Sequence, residues 1–135
     1  MDIKNWLGQY QKAMRYAEKC FQDLDALGVI KSPNMDGMPR GDIKGDNVER
    51  MAIHQMELRE RAEKARNEAL RLADEIYDTI DTLEDYGQKM VVVLRYIYGY
   101  TWDEVAINTG TSLRTVHRLH GRALEILRRT HENKI

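Results

Sequence analysis

The chain has 135 residues, 42% of them hydrophobic and 32% charged, with a formal net charge of −1 at pH 7. That apolar content at so small a net charge excludes a disordered chain, and the near-zero balance means that bulk charge announces no nucleic-acid partner. The single cysteine, Cys20, excludes an intramolecular disulfide and a thiolate zinc site, and points to a reducing compartment.

The opening Met1-Asp2-Ile3-Lys4-Asn5 has no basic stretch leading into an apolar one, so it does not read as a secretory signal. No run approaches the ~20 apolar residues of a membrane span. The expected location is the cytoplasm, with no membrane partner.

The first element is a helix over 2–27. Ile3, Leu7, Tyr10, Met14, Ala17, Phe21 and Leu24 alternate spacings of four and three, one apolar stripe of heptad-like, coiled-coil character. Asp2 suits its N-cap and Gly28 its stop. Residues 28–45 hold both prolines of the chain and four of its nine glycines, and read as a loop. Its Asp and Asn residues lack the spacing and closing Glu of a calcium-binding hand, so turn chemistry accounts for them.

A long helix is expected over 46–85. Val48, Met51, Leu58, Ala62, Ala65, Ala69, Leu72, Ile76 and Leu83 continue the three-four spacing, which Gln55 and Thr79 interrupt. A helix of that length needs a partner for its stripe. The first helix, folded back through the loop, gives an antiparallel hairpin in which Tyr10 and Met14 face Ala62 and Ala65. The first helix is too short to cover Ile76, Tyr77, Ile80 and Leu83, so these pack on the C-terminal domain or on a second copy of the chain. Gly87 opens a different unit over 86–135. No run alternates apolar and polar residues long enough to form a strand. The expected fold is all-α: a long antiparallel helical hairpin over 1–85, then a helix-turn-helix domain over 86–135.

The helix-turn-helix is read position by position. Thr101 and Glu104 make a capping box. Ala106 is small enough for a close helix crossing, and Gly110, four residues later, accepts a left-handed turn. Ser112 caps a second helix whose Val116 and Leu119 turn back toward the first. Together these features at these offsets spell a helix-turn-helix.

Charge agrees with that reading. Residues 46–85 hold 12 acidic and 6 basic side chains, whereas residues 111–135 hold 6 basic and 2 acidic ones. The chain therefore offers an anion one end only. The expected DNA-binding residues are Ser112, Leu113, Arg114, Thr115, His117, Arg118 and Arg122. Arg114 and Arg118 lie four apart on one face, each able to fork onto guanine O6 and N7. Thr115 suits a thymine methyl or a phosphate. Arg122, Arg128, Arg129 and the Ser112 cap suit the backbone. His117 and His120 are spaced as two metal ligands can be, but nothing nearby completes a set, so no metal and no cofactor are expected. No nucleophile with a base, no phosphate-cradling glycine loop and no paired carboxylates stand out, so the protein does not read as an enzyme.

The segment from Lys89 to Arg129 resembles region 4 of the sigma-70 family. The resemblance rests on Val93-Leu94-Arg95-Tyr96, on the glycine turn Tyr98-Gly99-Tyr100, on Thr101-Trp102-Asp103-Glu104-Val105-Ala106 and on Arg122-Ala123-Leu124-Glu125-Ile126-Leu127-Arg128. The whole chain is similar to small phage and prophage regulators of the ArpU and RinA kind, with Ser32-Pro33-Asn34-Met35-Asp36-Gly37-Met38-Pro39 resembling a segment of those proteins. The resemblance implies a regulator of phage genes acting at a promoter, and contact with RNA polymerase. Two departures separate the chain from the sigma pattern. Leu113-Arg114-Thr115 stands where Arg-Glu-Arg is usual, and His117-Arg118 where Arg-Gln is usual. The fold carries over, but readout of a −35 element does not. Nothing in the chain resembles the sigma regions that bind the −10 element.

Three functions fit these residues. The first is a sequence-specific transcription regulator on duplex DNA, acting alone or as a homodimer. The second is a DNA-packaging factor of the small terminase kind, working as a ring. The third is an adaptor that binds RNA polymerase without reading DNA.

Overall fold

The computed structural model describes residues 2–31 and 45–133, and among these there is no strand. The fold is all-α. Six helices follow in chain order: α1 (Ile3–Leu7), α2 (Gln9–Lys31), α3 (Gly45–Ile80), α4 (Tyr86–Val92), α5 (Trp102–Thr109) and α6 (Leu113–Asn133). A π-helical turn, Val93–Ile97, extends α4. Among the described residues, no helix is long and apolar enough to cross a membrane. The sequence motif at 32–39 and the calcium-loop question lie outside the described residues.

The chain divides into two compact units, residues 13–68 and residues 1–12 with 69–135. This division does not coincide with the expected boundary at 85/86. In the first unit, Ala17, Cys20 and Ala62 are buried, and the Arg66 guanidinium lies 5.4 Å from the centre of the Phe21 ring. The guanidinium over the ring is a cation–π contact.

The second unit holds the largest apolar cluster. Ile3 and Leu7 of α1 pack with Ile76 and Ile80 of α3, Leu83, Val92, and Ala123, Leu124 and Leu127 of α6. The end of α3 thus finds its partner in the C-terminal helices and in α1. Tyr10 packs on this cluster too. A second cluster joins Val91, Leu94, Val105 and Val116, with Ala106 and Leu119 packed against it. These contacts set α5 against α6.

Several element boundaries differ from expectation, each for a local reason. The first helix is interrupted at Gly8, whose N–H donates to Lys4 O at 3.0 Å. Glycine is a weak helix former, so the interruption falls there. The helix then runs through Gly28 to Lys31, because glycine weakens a helix without being barred from it. The long helix closes at Ile80 and not at Asp85. There Thr82 N and Leu83 N bond three residues back, to Thr79 O and Ile80 O, while Thr79 Oγ1 bonds Glu75 O and Thr82 Oγ1 bonds Thr79 O. Hydroxyls that bond nearby carbonyls compete with the helical ladder. Asp85 then caps α4 by accepting from Gln88 N at 3.0 Å.

Candidate nucleic-acid interface

Helix α5 begins on Thr101. Its Oγ1 accepts from Glu104 N at 3.2 Å and its N–H donates to Glu104 Oε1 at 3.0 Å, the reciprocal capping box read from the sequence. These bonds hold the Glu104 carboxyl below its usual pKa.

The helix ends at Gly110, with φ +67°. Gly110 N donates to Ile107 O at 3.3 Å and Thr111 N to Ala106 O at 3.2 Å. This pair of bonds is a Schellman closure, which turns the chain sharply and satisfies the last carbonyls of α5. Ser112 then caps α6, accepting from Thr115 N at 3.2 Å and donating to Thr115 Oγ1 at 3.1 Å.

Helix α6 is amphipathic along its whole length. Val116, His120, Ala123, Leu124 and Leu127 are its buried residues. Ser112, Leu113, Arg114, His117, Arg118 and Arg122 are exposed, and Thr115 is half-buried beside the Ser112 cap. At 100° per residue, Arg114, Arg118, Gly121 and Glu125 form the ridge opposite the core. A Cβ built on Gly121 meets no atom within 4 Å, so this ridge is bare between Arg118 and Glu125. Arg122 sits on one flank of the ridge and His117 on the other.

His117 is tied to its neighbour helix. Its ring lies 4.9 Å from that of Trp102, which also meets His120 edge-on at 4.6 Å. The Arg95 guanidinium sits 4.4 Å from the centre of the Trp102 ring and donates from Nη1 to Tyr100 O at 2.9 Å. His120 is buried, and Tyr96 Oη lies 2.8 Å from its Nε2. Burial, with Lys4, His117 and Arg95 nearby, lowers the His120 pKa to about 4. Both histidines are thus engaged with aromatic neighbours. Among the described residues no group of three or more His, Cys, Asp or Glu is placed to hold a metal ion.

A glycine-centred turn and a capped second helix with an arginine ridge facing away from the core are the parts of a helix-turn-helix. Residues 73–127 match the family model for sigma-70, region 4. The matched stretch runs from the last two turns of α3 through α4 and α5 and most of α6. No curated protein and no solved structure matches the chain. The region 4-like segment thus includes Ile76, Ile80 and Leu83, which the fold places in the core beneath α6.

Two contributors escape sequence reading. Gln11 Nε2 donates to Tyr96 O at 3.2 Å and to Ile97 O at 2.6 Å, across 85 and 86 residues of sequence. Trp6 meets His131 with ring centres 4.5 Å apart. Helix periodicity shows that a residue faces inward, but it does not name a partner so distant in sequence.

Proposed function

We propose that the protein is a transcription regulator that binds duplex DNA sequence-specifically through α6. The observation that carries this reading is the exposed pair Arg114 and Arg118 on the ridge of α6, directly after the Gly110 turn, within a segment that matches sigma-70 region 4. The N-terminal half of α6 enters the major groove. Arg114 and Arg118 meet base edges, Leu113 and Thr115 lie at the leading end, and Ser112, His117 and Arg122 flank them toward the phosphates.

The family match also supports contact with RNA polymerase at a promoter. The resemblance to phage and prophage regulators supports a role in phage gene control. A homodimer would place two such helices on two half-sites.

The test is fluorescence anisotropy with duplexes from upstream of neighbouring genes and a scrambled control, across a salt series. Tight, salt-sensitive binding that prefers one duplex, and loses that preference in Arg114→Ala/Arg118→Ala, supports the reading. Equal binding by the double variant, or none by the wild type, would overturn it. A ring of many subunits in solution would favour DNA packaging, and retained polymerase binding without DNA binding would favour an adaptor.

A further inference from the structure

We infer that Gln11, in the N-terminal helix, is a positioning residue for the DNA-facing surface of α6, acting through the π-helical turn and Trp102. The inference rests on the proposed DNA-binding reading, but its first link is independent of it.

The argument begins with the carbonyls of the turn. Tyr98 N bonds Val93 O at 3.1 Å and Tyr100 N bonds Leu94 O at 3.0 Å. The first is an i→i+5 bond and the second reaches back six residues, a wide closure of the kind found at functional places in helices. The carbonyls of Tyr96 and Ile97 accept from one amide nitrogen, Gln11 Nε2. A fixed carbonyl orientation fixes the exit of the chain. That exit is Gly99, at φ +73°, where a Cβ would stand 2.9 Å from Gln11 Oε1. The glycine and the glutamine thus occupy one space, and the turn cannot accept a side chain there while Gln11 stays in place.

The chain then passes into the recognition machinery within three residues. Arg95, in the turn itself, bonds Tyr100 O and covers Trp102. Thr101 opens the capping box of α5. Trp102 touches both His117 and His120 of α6. A shift at Tyr96 and Ile97 therefore reaches α6 at the turn that carries Arg114 and Arg118.

Gln11→Glu in the full chain keeps the size of the side chain, removes the two donors and sets a carboxylate against two carbonyls. Two readouts are needed: affinity for the duplex that wild type prefers, and the indole 1H–15N signal of Trp102, assigned with Trp6→Phe. The expected result is a displaced Trp102 signal with roughly five- to tenfold weaker binding, the scale of one lost hydrogen bond. Gln11→Lys, which restores N–H donors, recovers part of both. Gln11→Met, of similar bulk and without charge, repeats the test if Gln11→Glu fails to fold. Ala62→Gly, in the other compact unit, controls for lost stability and leaves the Trp102 signal in place.

The inference is overturned if Gln11→Glu binds as wild type, if the Trp102 signal does not move, or if Ala62→Gly at equal loss of thermal stability weakens binding as much. If wild type binds no duplex, the DNA reading falls, and the Trp102 signal alone decides for or against the link from Gln11.

Discussion

Tyr96 Oη and His120 Nε2 are 2.8 Å apart and their rings stack with centres separated by 5.7 Å, which joins the π-helical turn to the middle of α6. The neutral imidazole accepts from the phenol in its Nδ1–H tautomer and donates to it in its Nε2–H tautomer. Protonation of His120 would place a buried cation near Lys4, His117 and Arg95. Burial chiefly, and those neighbours secondarily, hold its pKa at about 4, against 6.5 when free.

A pH dependence of stability follows. Between pH 6.5 and about 4, the unfolded chain binds a proton that the folded chain refuses, so stability falls as pH falls through that window. Above it, neither state is protonated and His120 adds no slope. The expected loss from pH 7.5 to pH 4.5 is on the order of 1–3 kcal/mol. Urea unfolding at the two pH values measures it, with His120→Gln flattening the slope. An unchanged slope in that variant would remove His120 as its source.

Three glycines separate backbone strain from steric space. Gly99→Ala meets both, because φ is +73° and the new Cβ would lie 2.9 Å from Gln11 Oε1. Gly110→Ala meets only strain, at φ +67° with nothing within 4 Å. Gly121→Ala meets neither and lies within α6. The expected changes are a loss of about 2–4 kcal/mol at Gly99 and about 1–2 at Gly110, with a gain of about 0.5–1 at Gly121. Thermal unfolding ranks them. An equal loss at Gly99 and Gly110 would show that Gln11 yields its space freely.

The same glycines show how far the sequence was legible. Gly110 declared itself, because Thr101, Glu104, Ala106 and Ser112 stand at fixed offsets around it and all act locally. Capping and turn chemistry involve neighbours in the chain, so sequence spacing carries them. Gly99 was recognised as a turn, but the residue that crowds it, Gln11, lies 88 residues earlier in the chain. The π-helical closure was equally silent, since it depends on where Val93 and Leu94 carbonyls find donors. The destination of Ile76, Ile80 and Leu83 was half legible. Their stripe outran the first helix, which required either the C-terminal domain or a second copy as partner, and the structure supplies α6 together with Ile3 and Leu7. The arginine ridge of α6 was readable from periodicity, whereas the engagement of His117 with Trp102 was not.

Leu7 links the start of the chain to the region 4-like segment. It is fully buried in the cluster that holds Ile76, Ile80, Leu124 and Leu127. Leu7→Ala leaves a cavity there and should cost about 2–5 kcal/mol. The loss should appear as faster amide exchange in α6, more than 100 residues later in the chain, as well as in the melting temperature. Normal protection of α6 in the variant would mean that α1 is only loosely attached to this core.

Arg114 and Arg118 can be told apart from Arg122 by what their removal does to specificity. The first two lie on the ridge opposite the core and the third on its flank. A guanidinium on a base edge discriminates among sequences, whereas one on a phosphate supports all sequences equally. Arg114→Ala and Arg118→Ala should each cost about 1–3 kcal/mol on the preferred duplex and little on the scrambled control. Arg122→Ala should weaken both duplexes alike and lower the salt slope by about 1, the release of one phosphate contact. Anisotropy across a salt series separates the two patterns. If Arg122→Ala abolished sequence preference while Arg114→Ala left it intact, α6 would have to be rolled in the groove. The flank that carries Arg122 would then face the bases, and Glu125 would move away from the DNA.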